Sequence, residues 1–149
     1  MVLALRKLTR RAYSEKELEL YLQKQKFSGD EILAVLAKLK KWGYLNDQQL
    51  AANLYEYYLR NKSYGYFYIR QKLHIKNIPA EIINSLLENY DLEQEFTRAQ
   101  TLTEKFIKNK KRQKQPFQLG GMLSRYLSRR GFHQSTIRKI MHEFLPEID

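Results

Sequence analysis

The chain has 149 residues, 43% hydrophobic and 29% charged, with no cysteine. That is enough apolar content for one compact domain or an array of smaller units with a shared core, and it excludes disulfides and thiolate chemistry. The net charge of +11 favours polyanions over acidic small molecules as partners, and no apolar run approaches the ~20 residues that cross a bilayer.

The opening stretch Met1-Val2-Leu3-Ala4-Leu5 meets Arg6 and Lys7 too soon to serve as a signal peptide, so the expected location is the cytoplasm. A first helix is expected near residues 2–11. Ser14-x-x-Glu17 is a capping-box pattern that satisfies free amides at the start of a second helix, 15–26. Ser28-Gly29-Asp30-Glu31 opens a third, 29–42, on which Ile32, Leu36 and Leu39 keep one face apolar. Gly43 stops that helix, and Asn46-Asp47 can cap the next, 47–61, whose apolar stripe is Leu50, Ala51, Leu54 and Tyr58. Helices near 66–76 and 80–90 follow, Pro79 suiting a first turn. Phe96, Ala99, Leu102 and Phe106 give a stripe to a helix over 92–110, and the last two helices are expected near 117–130 and 134–145.

Comparing the chain with itself reveals a repeat. Leu18, Leu22, Phe27, Ile32, Leu36 and Leu39 become, 51 residues on, Ile69, Leu73, Ile78, Ile83, Leu87 and Tyr90. After 105 residues they become Leu123, Leu127, Phe132, Ile137, Met141 and Phe144, so all eighteen positions are apolar or aromatic. The expected fold class is therefore all-α: three tandem three-helix repeats, helix–turn–helix-like, over 1–46, 47–91 and 92–149. A unit of about 50 residues only just buries enough surface to stand alone. Stacking three shares that surface, and the expected outcome is an elongated, curved array.

Charge is distributed unevenly along this frame. Residues 1–50 carry ten Lys/Arg against six Asp/Glu, residues 51–95 five against six, and residues 96–149 twelve against four. The densest run lies between Lys105 and Pro116, with Lys108, Lys110, Lys111, Arg112 and Lys114. Its lysines can sit near phosphates and release counterions, or can simply favour a helix C-terminus and a solvated loop. Arg125 and Arg129 are four apart, hence on one helical face. With Arg130, and with Arg138 and Lys139 on the next helix, they can form a patch suited to bidentate phosphate or carboxylate contacts, or serve as solvated surface. In Tyr64-Gly65-Tyr66-Phe67-Tyr68, Tyr66 is expected to face the core. Phe67 and Tyr68 can lie outward, where they would stack on bases or fill a partner's pocket, but packing between adjacent repeats is the favoured account. Trp42 is read as structural.

Catalysis finds little support. His74, His133 and His142 lack metal-site spacing, Gly120-Gly121 is not followed by the Lys-Ser/Thr pair of a phosphate loop, and the carboxylates read as solvated helix surface. No enzyme activity, cofactor, metal or catalytic residue is expected.

Several short motifs, in order, resemble the RecX family. They are Ala4-Leu5, Leu8, Arg11 and Ser14-x-x-Glu17-Leu18, then Gly43-Tyr44-Leu45-Asn46-Asp47 and Ala51. The stretch from Arg60 to Gly65, Ile69-Arg70-Gln71-Lys72-Leu73, and Leu127-Ser128-Arg129-Arg130-Gly131-Phe132 with Ile137 complete the match, which covers nearly the whole chain. The resemblance implies tandem three-helix repeats and a bacterial regulator of the RecA recombinase. Such a protein binds along the helical groove of the RecA–single-stranded DNA filament and restrains ATP hydrolysis, strand exchange and coprotease activity, without a cofactor. Family members often carry a proline and an arginine between the glycine at 65 and the isoleucine at 69. Here Tyr66, Phe67 and Tyr68 fill that interval, so aromatic packing stands where a positive contact would.

On this reading the partners are RecA and single-stranded DNA, with double-stranded DNA a further polyanion, no membrane, and a monomeric chain. The candidate contacts are Lys7, Arg10, Arg11, Arg60, Lys62, Arg70, Lys72, Lys105, Lys108, Lys110, Lys111, Arg112, Lys114, Arg125, Arg129, Arg130, Arg138 and Lys139. The alternative is a direct, nonspecific DNA- or RNA-binding helical module. Helices Asp30–Trp42 and Ala80–Tyr90 are poor in arginine and in outward Asn or Gln, which argues against base reading by this route.

Overall fold

The computed structural model describes residues 1–61, 63–110 and 116–146. Among them are nine α-helices and no strand: α1 (Val2–Arg10), α2 (Glu15–Lys24), α3 (Gly29–Lys41), α4 (Asp47–Asn61), α5 (Tyr66–Ile75), α6 (Ala80–Leu87), α7 (Leu92–Lys110), α8 (Pro116–Arg129) and α9 (Gln134–Phe144).

Local chemistry sets most of these boundaries. At α2, the Ser14 hydroxyl accepts from the Glu17 amide (3.1 Å) while the Glu17 carboxylate accepts from the Ser14 amide (3.0 Å). Ser28 and Glu31 repeat the box at α3. Two amides with no intrahelical partner are satisfied reciprocally at each start. The Asn46-Asp47 pair divides its work: Asn46 accepts from the Gln49 amide and caps α4, whereas Asp47 accepts from the Glu15 amide at 2.9 Å and so supports α2. Pro79 stands just before α6, at its N-cap, not inside its first turn. That helix ends at Leu87, short of the expected residue 90, and Tyr90 leaves the helical path to donate its hydroxyl to Glu95.

The chain forms two compact units, one of Met1–Tyr55 with Lys72–Glu88, the other of Glu56–Gln71 with Asn89–Asp149. In the first, α2 packs on α3, and the core is Ala4, Leu18, Leu22, Ile32, Leu36, Leu39 and Leu45. In the second, α7, α8 and α9 pack on one another around Ala99, Leu102, Leu123, Leu127, Phe132, Ile137 and Ile140.

The repeat is visible in the backbone as well as in the core. None of its eighteen positions is exposed; all are buried except Phe27, Tyr90, Met141 and Phe144, which are half-buried. The 51- and 105-residue offsets also relate three left-handed residues, Lys26 (φ 67°), Asn77 (φ 58°) and Gly131 (φ 84°). In each case the left-handed residue's amide bonds the carbonyl three residues back, at 2.9, 2.9 and 3.0 Å. The following amide bonds the carbonyl five back: Phe27 to Leu22, Ile78 to Leu73, Phe132 to Leu127. This Schellman-type ending satisfies helix-terminal carbonyls and aims the chain into the next helix. The hydrophobic register thus recurs three times with this turn at the same place in each copy, and Gly43 (φ 82°) ends α3 with the same pair of bonds.

At Gly131 the turn is crowded. A Cβ there would overlap the Tyr68 backbone nitrogen, and one at Gly65 would lie 2.6 Å from the Gly131 carbonyl oxygen and from Phe132. The start of α5 uses this approach: the Gly65 amide donates to the Arg130 carbonyl (2.8 Å) and the Phe67 amide to the Gly131 carbonyl (2.9 Å). We expect Gly131→Ala to destabilise the protein by about 3 kcal/mol, from left-handed strain plus overlap. Gly29→Ala, with nothing within 4 Å of its Cβ, should shift stability by less than about 1 kcal/mol. Urea denaturation of the two variants checks the contrast.

Candidate functional site

The spacing of core residues on α8 and α9 decides which cations face outward. Leu119, Leu123 and Leu127 recur every fourth residue and are buried, which leaves Arg125 and Arg129 exposed on another face of α8. On α9, Thr136, Ile137 and Ile140 are buried, and Arg138 and Lys139 are exposed. Because α8 packs on α9, these four cations belong to one two-helix element. The Arg125 guanidinium lies 3.4 Å from where a Cβ on Gly121 would be, so its arm runs back along its own helix. Lys139 approaches the Phe96 ring, 5.9 Å from its centroid.

Arg130 has a different character from its neighbours. It is half-buried, donates to the Ser63 carbonyl at 3.4 Å, and lies over the rings of Tyr126 (4.9 Å) and Tyr64 (5.7 Å). These contacts fix the α8 end onto the segment before α5. Tyr64 in turn stacks on Tyr68 with centroids 3.8 Å apart and planes within 4°, and Tyr58 meets both edge-on. The outward reading of Tyr68 is therefore corrected: its ring face is taken by Tyr64, and Tyr68 is half-buried. Phe67 is 48% exposed, as expected for an outward residue. Tyr66 is half-buried against Tyr90 and His133.

Beneath this surface lies a group the sequence reading missed. Glu95 is fully buried on α7, which corrects its assignment to solvated helix surface. One carboxylate oxygen accepts from the Tyr66 amide (3.0 Å) and the Tyr90 hydroxyl (2.6 Å). The other accepts from the His133 amide (3.2 Å), the His133 Nδ1 (3.0 Å) and the Thr136 hydroxyl (2.6 Å). An ionised carboxylate only accepts, so Nδ1 of His133 carries the hydrogen in this contact. Arg98, also buried, donates to the Tyr90 hydroxyl (2.7 Å) and the Tyr64 carbonyl (3.3 Å). Burial alone would push the Glu95 carboxyl up. The hydrogen bonds from Thr136, Tyr90, Tyr66 and His133 overcome that and hold it below the ordinary carboxylate value. One sequence signal pointed here: Glu95 lies four residues before Ala99 and seven before Leu102, on the buried stripe of its helix.

The other candidates are placed as follows. On α1, Arg10 is exposed and Lys7 lies 4.4 Å from the Tyr21 ring centroid. Arg11, just past that helix, pairs with Glu17 at 3.3 Å and covers the Tyr13 ring at 3.6 Å. Arg60 and Arg70 are exposed, and Lys72 is half-buried. Lys105 and Lys108 are exposed near the end of α7, and Lys110 is half-buried. Lys62, Lys111, Arg112 and Lys114 lie outside the described residues. Trp42, read as structural, is 54% exposed. Among the described residues, no three His, Cys, Asp or Glu side chains gather to hold a metal, and no helix is long and apolar enough to cross a membrane.

Comparison with known proteins gives a consistent neighbourhood. Residues 1–44 match the family model for RecX, first three-helix domain. A Legionella pneumophila protein named Regulatory protein RecX is 33% identical over 153 residues, covering 94% of this chain and 91% of its own. An Oceanobacillus iheyensis protein of the same name is 27% identical over 136 residues; the match covers 91% of this chain but only 50% of that relative's length. The crystal structure of RecX from Lactobacillus salivarius superposes with a TM-score of 0.81 at 24% identity, over 94% of this chain and 90% of its own, a likeness of fold.

The buried carboxylate has a measurable pH consequence. Its folded pKa lies below its unfolded value near 4.5, so its stabilising contribution is complete above that value and is lost as pH falls through the folded one. We expect Glu95→Gln to cost about 3 kcal/mol at pH 7, because an amide NH2 would face donors. The penalty should shrink toward acid pH, as read from unfolding midpoints between pH 7 and pH 3.

Proposed function

The chain belongs to the RecX family, and from that premise we propose that this regulatory protein acts on the RecA–single-stranded DNA filament. It lies in the filament's helical groove and restrains ATPase, strand-exchange and coprotease activity. The observation that carries this reading is the outward-facing set Arg125, Arg129, Arg138 and Lys139 on one packed helix pair. Guanidinium forks on such a rigid element suit phosphate or carboxylate groups of a filament. The exposed Arg10, Arg60, Arg70, Lys105 and Lys108 add further positive contacts.

The binding modules are the three-helix repeats 1–46, 47–91 and 92–149. What supports that partition is the recurrence of one turn at Lys26, Asn77 and Gly131. Several weak contacts on one chain gain strength through effective concentration, so inhibition proceeds by occupancy and needs no chemistry of the chain's own. Arg130, half-buried, contributes by holding Ser63 and Tyr64 in place beside that set.

We expect substoichiometric inhibition of RecA's DNA-dependent ATPase at moderate salt; a flat dose response with folded protein rejects the proposal. Arg125→Glu combined with Arg129→Glu should reduce potency about tenfold, as for the loss of about 1.4 kcal/mol of charge-assisted contact. Its thermal midpoint should match that of the parent, since both side chains are exposed.

A further inference from the structure

The outer face of α3 is built unlike the cationic faces above. Ile32, Leu36 and Leu39 turn inward, and the opposite side of the helix carries, in order, Asp30, Leu33, Ala34, Ala37, Lys38 and Lys41, all exposed. At 100° per residue these six span a single stripe. Leu33 is 68% exposed, which for an aliphatic residue amid alanines leaves apolar surface open to water. At the helix end, Trp42 is 54% exposed. Charge is ordered along the stripe: acidic at the N-terminal turn, apolar in the middle, basic in the last turn.

We propose that this face of α3 docks a helix of a partner protein, lying antiparallel, with an acidic first turn and an apolar middle. In that arrangement the partner's acidic turn meets Lys38 and Lys41, and its basic end meets Asp30. The two macrodipoles oppose, as antiparallel neighbours prefer. Ala34 and Ala37 lack bulk where the axes come closest, so a partner side chain can enter beside Leu33. Trp42 supplies an aromatic anchor of the kind that concentrates binding energy at protein interfaces.

Two other occupants fit less well. Nucleic acid is disfavoured because Asp30, at the helix N-terminus, would confront phosphates, and Leu33, Ala34 and Ala37 offer no donor or acceptor to base edges. A second copy of this chain would match the charge order, but six residues of one helix are far fewer than the roughly 20–30 per side that a stable lone interface uses. A partner already held by other contacts has no such need. The inference rests on the filament reading above and assigns to α3 the contact with protein, leaving phosphate to the arginines of α8.

Trp42 is the only tryptophan of the chain, so 5-fluorotryptophan labelling gives one fluorine resonance at this face. Titration of the labelled full chain with unlabelled RecA–single-stranded DNA filament should shift or broaden that resonance, and naked single-stranded DNA should leave it unchanged. Leu33→Asp should weaken filament binding at least tenfold and spare binding to naked DNA, with an unchanged thermal midpoint because the site is exposed. A resonance that responds to DNA alone makes the face a nucleic-acid surface and overturns the proposal. One that responds to the chain's own concentration makes it a self-association surface, with the same result. If the filament binds while the resonance stays fixed and Leu33→Asp binds normally, the α3 proposal fails and the filament reading stands. If the unsubstituted chain does not bind the filament, both fail.

Discussion

Glu95 receives two backbone amides, two hydroxyls and an imidazole nitrogen, and those donors come from the start of α5, from the segment just before α7 and from the start of α9. The amides of Tyr66 and His133 stand at the starts of α5 and α9, where no intrahelical carbonyl is available. A buried negative charge at two helix N-termini is favoured by their dipoles as well as by the bonds themselves. The arrangement in the second unit therefore follows from one requirement, that an ionised carboxylate inside the protein meet a donor at every lone pair it turns inward. Arg98, Tyr90 and Tyr64 extend the network toward the ring stack, so the polar centre and the aromatic cluster are connected by hydrogen bonds.

The three repeats solve the same turn with different residues, and their surroundings explain the choice. Lys26 and Asn77 are exposed and tolerate the left-handed conformation at modest cost, asparagine with the least strain of ordinary side chains. Gly131 is buried under the backbone of Tyr68, where any Cβ would collide. The third turn thus became a docking point for the start of α5, and glycine at 65 and 131 is a consequence of that close approach and not only of dihedral preference.

How much was legible in the sequence follows from the range of each interaction. Helix limits were readable because capping boxes at Ser14 and Ser28 and the stop at Gly43 act within four residues. The repeat was readable because burial at Leu18, Ile69 and Leu123 is enforced by local periodicity. Glu95 was not, since its donors lie 29, 38 and 41 residues away at Tyr66, His133 and Thr136, and a single carboxylate on an apolar stripe reads as an outlier until they are seen. The same distance hid the role of Arg130, bonded across 67 residues to Ser63. Arg125, Arg129, Arg138 and Lys139 were found outward as expected, because helical spacing alone separates them from the buried leucines and isoleucines.

The long sequence separation around Glu95 also imposes an order on synthesis. Every residue of the first unit has been made once the ribosome reaches Glu88, so that core can close while the rest is still being translated. The second unit has no such freedom: until Thr136 has emerged from the exit tunnel, Glu95 lacks several of its donors and cannot be desolvated without penalty. Nascent α7 must therefore stay hydrated, and the two halves of the molecule mature in sequence, amino-terminal side first.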